Sequence, residues 1–146
     1  MKTKEIAVAY ALLKGAKLSK MEDEDKFKVI KAMRVMRPIA EKYETDEKEA
    51  SDKLKDERFE EMSEKANKHN EALQSKQVDK LLPAGELVEL NKYFDGFQKK
   101  LGECLKSLQE EEVPAEFDKL TEEAFKKLLA SNDFTVEQML DLEILL

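Results

Sequence analysis

Apolar residues between positions 87 and 108 recur without a slip. Leu87, Leu90, Phe94, Phe97, Leu101, Cys104 and Leu108 follow one another in steps of three and four. That rhythm is one stripe of an α-helix and the a/d pattern of a coiled coil. A second broad apolar set, Phe27, Val29, Ile30, Met33, Met36, Ile39, Ala40 and Tyr43, predicts another long helix, buried over a wide face. Ser19 is its expected N-cap, and Glu22, Asp23 and Glu24 suit the positive first turn. Pro38 lies inside this pattern, so a kink is expected there rather than an end. Phe59, Met62, Ala66, His69 and Leu73 resume the rhythm one position out of phase. That shift is a stutter or a turn, and reads as a long helix with a solvated middle, with a break near 45–57 left open.

Shorter elements flank these. A first helix carries Ile6, Ala9, Tyr10 and Leu13, with Thr3 as its expected N-cap and Gly15 at its end. "SKQVDKLLPAGE" breaks the chain before the seam helix, which opens near Pro83. Residues 113–117 read as extended, or as a short edge strand interrupted by Pro114. A helix then starts at Thr121, "SND" supplies turn chemistry, and Thr135 with Gln138 fits a capping box for the last helix.

The fold class expected is therefore all-α: an elongated antiparallel bundle, or coiled-coil hairpin, built on two long helices with short flanking helices. It is one domain over 1–146, with the hairpin at roughly 21–109 and a C-terminal helical subdomain at roughly 113–146. The seam at 87–108 has a natural partner in the face of 27–54, with 59–75 as a second. The same regularity suits self-association, so a homo-oligomer stays open.

Composition sharpens this picture. Charged residues make up 40% of the 146, with four Gly, three Pro and no Trp, which favours long helices over sheet. No run approaches the roughly 20 apolar residues that span a bilayer, so no membrane partner is expected. The opening "MKTKEIAVAYALLKGAK" is interrupted by Lys14 and Lys17 and reads as a helix of an intracellular protein, not a signal peptide.

Charge is uneven. Residues 1–37 hold ten Lys/Arg against five Asp/Glu, while the whole chain has a net charge of −7. Lys28, Lys31, Arg34 and Arg37 step by three along a stretch, 26–37, that contains no acid. A cationic helix flank of this kind meets phosphates or an acidic protein surface. The structural alternative turns it toward the acid-rich 44–65 or 103–112 region. An acidic body, and no interleaved aromatics, weigh against nucleic acid.

Chemistry is otherwise sparse. The single cysteine, Cys104, sits on the seam phase and reads as a small buried hydrophobe. His69 is the only histidine and has no Glu-x-x-His or Cys/His company, so it reads as a boundary residue and no metal site is expected. The acidic runs lack the glycine of a calcium loop, and the four Gly are too isolated to cradle a phosphate. No catalytic residue and no cofactor are assigned, and the chain is expected not to be an enzyme.

Two passages, "IAVAYALLKGAKLSKMEDEDKFKVIKAMRVMRPIAEKYE" and "EFDKLTEEAFKKLLASNDFTVEQMLDLE", resemble the opening and close of small uncharacterised helical proteins of bacteriophages and prophages. The resemblance implies a phage or prophage origin and a role in virion assembly or a host-facing complex. The protein would then sit in the host cytoplasm or in a virion. The leading expectation is thus a helical protein–protein interaction or assembly protein. The alternative is a small nucleic-acid-associated regulator using the basic face.

Overall fold

The computed structural model describes residues 1–146 and is all-helical. Its α-helices are α1 (Thr3–Lys14), α2 (Asp23–Leu54), α3 (Glu57–Gln74), α4 (Ala84–Glu110), α5 (Glu122–Ala130) and α6 (Val136–Asp141), with 3-10 turns at Val78–Lys80 and Leu142–Leu145. There is no strand. The segment expected as extended or edge-like contributes one isolated antiparallel bridge, Lys2 to Glu112.

The chain divides into two compact units: Met1–Asp46 with Ser107–Leu146, and Glu47–Lys106. Residues 113–146, set apart as a subdomain on sequence, share one core with α1 and the first half of α2. Ile6, Ala9 and Leu13 of α1 meet Val29, Ala32 and Met36 of α2 there. Leu120, Phe125, Leu128, Leu142 and Leu145 of the C-terminal segment complete it. The buried sets on α1 and α2 keep the three-and-four spacing of a helix face.

Local chemistry fixes the edges of this first unit. Thr3 is not the N-cap of α1 but its first residue. Its backbone N–H and its hydroxyl both donate to the Glu111 carbonyl, at 2.9 and 3.0 Å. Ser19 does not cap α2, which begins at Asp23, after a turn. The first bond of that helix runs from the Lys26 N–H to the Glu22 carbonyl, 2.9 Å. Asn132, in the "SND" turn, clamps that loop from the side. Its Oδ1 accepts from the Lys17 N–H and its Nδ2 donates to the Lys17 carbonyl, both at 2.7 Å. Thr121 and Thr135 cap α5 and α6, and Thr135 and Gln138 form the reciprocal box. Pro38 lies inside α2 without ending it, as expected at a position where one lost donor is outweighed by packing.

The second unit contains the end of α2, all of α3 and most of α4. The helical pattern breaks at Lys55–Asp56, within the window that the phase stutter marked. Asp56 is the reason. Its carboxylate accepts from the Phe59 N–H at 3.1 Å and starts α3. At the far end, Lys76 takes a left-handed backbone conformation, φ 58°, which stops α3 after Ser75.

Candidate interaction surfaces

Within the second unit, α3 and α4 meet through rings. Phe59 lies 5.0 Å from Phe97 and 6.1 Å, edge-on, from Phe94. Phe94 and Phe97 are seam positions, so this part of the seam packs on α3. Phe59 contacts Phe94 and Phe97, while His69 Nδ1 accepts from the Leu82 N–H at 3.1 Å. Higher numbers on α3 therefore meet lower numbers before and along α4. His69, a boundary residue as read, holds the connector between the two helices.

A polar cluster sits beside the rings. The Tyr93 hydroxyl donates to Asp56 Oδ1 at 2.7 Å. The Arg58 guanidinium lies over the Tyr93 ring, 5.4 Å from its centre, and pairs with Glu89 at 3.3 Å. The Tyr93 hydrogen bond, helped by the backbone N–H groups of Phe59 and Arg58, holds the Asp56 carboxyl below the usual range for aspartate. Burial, followed by the same hydrogen bond, pushes the Tyr93 phenol up. Sequence reasoning passed over this pair. The available signal was "KDERF", an Asp three residues ahead of the first apolar-periodic residue of a helix.

The seam is only partly covered. Leu90 is buried; Leu87, Phe94, Phe97, Leu101 and Leu108 are half-buried. Cys104 is exposed, which corrects its reading as a buried hydrophobe. Leu105 takes the covered position in its place. A straight α-helix drifts about 20° per heptad against a strict seven-residue repeat. By the third heptad that drift has carried position 104 outward and 105 inward.

The basic flank of α2 belongs to the first unit. Lys28 is half-buried, whereas Lys31, Arg34 and Arg37 are exposed. Arg37 pairs with Glu41 on its own helix at 2.9 Å. Lys28, Lys31 and Arg34 make no ion pair. Phe27 and Ile30 join this flank, 50% and 42% exposed, and the Lys31 ammonium lies 4.8 Å from the centre of the Phe27 ring. Both were expected inside. Val29, Ala32, Met36 and Ala40 already fill the inward face, and at 100° per residue Phe27 and Ile30 fall on the opposite side. The flank therefore does carry one interleaved aromatic.

No three His, Cys, Asp or Glu side chains converge in a way that could hold a metal ion, and no helix is long and apolar enough to cross a membrane. Compared with known proteins, the chain matches no protein family, no curated sequence and no solved structure. The all-helical class, with its two half-covered helical faces, thus rests on the residues themselves.

Proposed function

We propose that this is a non-enzymatic helical interaction or assembly protein, whose second unit is an antiparallel two-helix hairpin that completes its packing against another protein. One observation carries the reading. Along α3 (18 residues) and α4 (27 residues), only Met62, Ala72 and Leu90 are buried, although both helices are strongly amphipathic. A two-helix layer covers one side of each stripe and leaves its edges to water, so a third or fourth helix adds burial at little further cost in chain order. The ring contacts of Phe59 with Phe94 and Phe97, taken with the bond from the Leu82 N–H to His69, support the antiparallel sense. The layout resemblance to small phage and prophage proteins fits an accessory or virion component.

The alternative, a nucleic-acid regulator, has less to work with. Arg37 is engaged by Glu41, which leaves Lys28, Lys31 and Arg34 as its free cations. Three phosphate contacts give weak, steeply salt-dependent binding.

Hydrogen exchange on the dilute protein tests the assembly reading. Amides of α3 and of residues 84–106 exchange through local openings far more readily than those of α1 and α5. Equal protection of both units in a monomer would mean that the second unit needs no partner, and the reading fails.

A further inference from the structure

The first unit has a filled core, yet it carries two exposed helix faces that combine apolar and charged groups of opposite sign. On α2, Phe27 and Ile30 lie with Lys31 and Arg34, at the i, i+3, i+4, i+7 spacing of a single stripe. On α6 and the residues beside it, Val136 and Leu140, 73% and 58% exposed, lie with Asp133, Glu137 and Glu143, all three exposed. Neither Lys31 nor Arg34 makes an ion pair within the chain, nor do Asp133, Glu137 or Glu143. Folding does not account for these apolar groups, because Val29, Ala32, Met36, Leu142 and Leu145 already fill the inward faces of the same elements. An exposed apolar cluster on a finished core is the kind that marks a contact surface.

We propose that the acidic–apolar face of α6 in one copy of the chain docks on the basic–apolar stripe of α2 in a second copy. Charge selects this occupant. Each face presents two apolar side chains one helical turn apart, flanked by charges that the other face would neutralise, so a second copy supplies the complement to both. The two surfaces differ, so the contact is heterologous: it closes into a ring or a reciprocal pair, or it runs on as a chain of copies. A nucleic acid would answer the cations but would leave Ile30 uncovered and would meet the acids Asp23, Glu24 and Glu41 at the ends of the stripe. The inference rests on the assembly reading for its purpose, though not for its residues, which lie outside the second unit. The contact is small and its ion pairs are exposed, so association is weak and salt-sensitive, with a dissociation constant between about 10 µM and 1 mM.

The test is molar mass by sedimentation equilibrium on the full chain, from about 10 µM to about 1 mM in low salt. The expected mass rises above 16.9 kDa with concentration. Two double variants are compared, Lys31→Glu with Arg34→Glu, and Glu137→Lys with Glu143→Lys. Each weakens association at least about tenfold by placing like charges together. A one-to-one mixture of the two recovers it, since reversed faces then meet each other. Amide shifts of the wild type on dilution, confined to residues 27–34 and 133–143, read the same contact without any substitution. A mass fixed at one chain overturns the proposal, and so does wild-type association that the charge swaps leave alone or that the mixture fails to restore. A wild type that stays monomeric but binds a 20-nucleotide single strand overturns it too, and gives the stripe to nucleic acid. Low protection in the second unit of a strict monomer would keep the assembly reading with a different partner. Full protection there would remove that reading while the mass result stood by itself.

Discussion

The two units spend the same kind of sequence differently. The first, residues 1–46 with 107–146, gathers thirteen buried residues into one cluster drawn from α1, α2, α5 and the segments around α6. The second, residues 47–106, buries Met62, Ala72 and Leu90 and holds its other apolar groups at the edge of water. Helix periodicity is as clear in the second as in the first. What differs is the number of layers. Four or more elements arranged around a centre enclose a stripe on all sides, whereas two helices and the short end of a third leave part of it open. An amphipathic stripe thus measures the capacity for burial, and the neighbours decide how much of that capacity is used.

The sharpest way to break this comparison is to remove the same atoms from each unit. Leu128→Ala, in the fully buried first core, lowers the free energy of unfolding by about 2–5 kcal/mol in urea titrations of the dilute protein. Leu101→Ala, at a half-buried seam position, costs roughly 1 kcal/mol, in proportion to the area withdrawn from water. Similar losses at the two sites would erase the contrast.

A smaller effect runs in the opposite direction. Gly96 and Gly102 lie inside α4 with nothing within 4 Å of where a Cβ would stand. Gly96→Ala and Gly102→Ala should each stabilise the second unit by up to about 1 kcal/mol, the difference in helix propensity. Slower amide exchange across α3 and α4 is the readout. No gain, or a loss, would show that something approaches the backbone there.

The smallest effect is a matter of pH. The Asp56 carboxylate is held ionised below its ordinary range, so what it contributes is present above about pH 4 and is lost as pH falls toward its own lower value. The Tyr93 phenol is raised, so its contribution is present below about pH 10 and is lost as pH climbs beyond that. Helicity of the second unit should sag at both extremes. In Tyr93→Phe the acid-side loss should move to higher pH, which a carboxyl titration by NMR would follow. An unmoved titration would mean that the hydrogen bond is not the cause.

Much of the local structure was legible. Thr121 and the Thr135–Gln138 box announced two helices, whereas the phase stutter after Leu54 left one continuous helix and two equally open, and the Asp56 cap decides for two. Faces were harder to read. α2 carries apolar groups around more than half of its circumference, and the sequence contains no instruction that Val29 turns inward while Ile30 turns out. Cys104 and Leu105 compete for one place on the seam, and the accumulated drift of the helix decides between them. The caps at Thr3 and Ser19 failed for a related reason. Thr3 is claimed by Glu111, more than a hundred residues away, and the loop holding Ser19 is shaped by Ser131 and Asn132. Contacts of that span leave no local trace.

The first unit is also discontinuous, and this sets a clock. Ile6, Leu13 and Met36 leave the ribosome early, but Leu120, Leu128, Leu142 and Leu145 follow only after about a hundred further residues. At 5–20 residues per second, that is a wait of roughly 5–20 s. During it, a half-built core stands open in the cell while the two helices of the intervening segment are already complete. Newly made chains therefore pass through an interval in which the better-packed half of the molecule is the unfinished one, and chaperones meet α1 and α2 before α5 does.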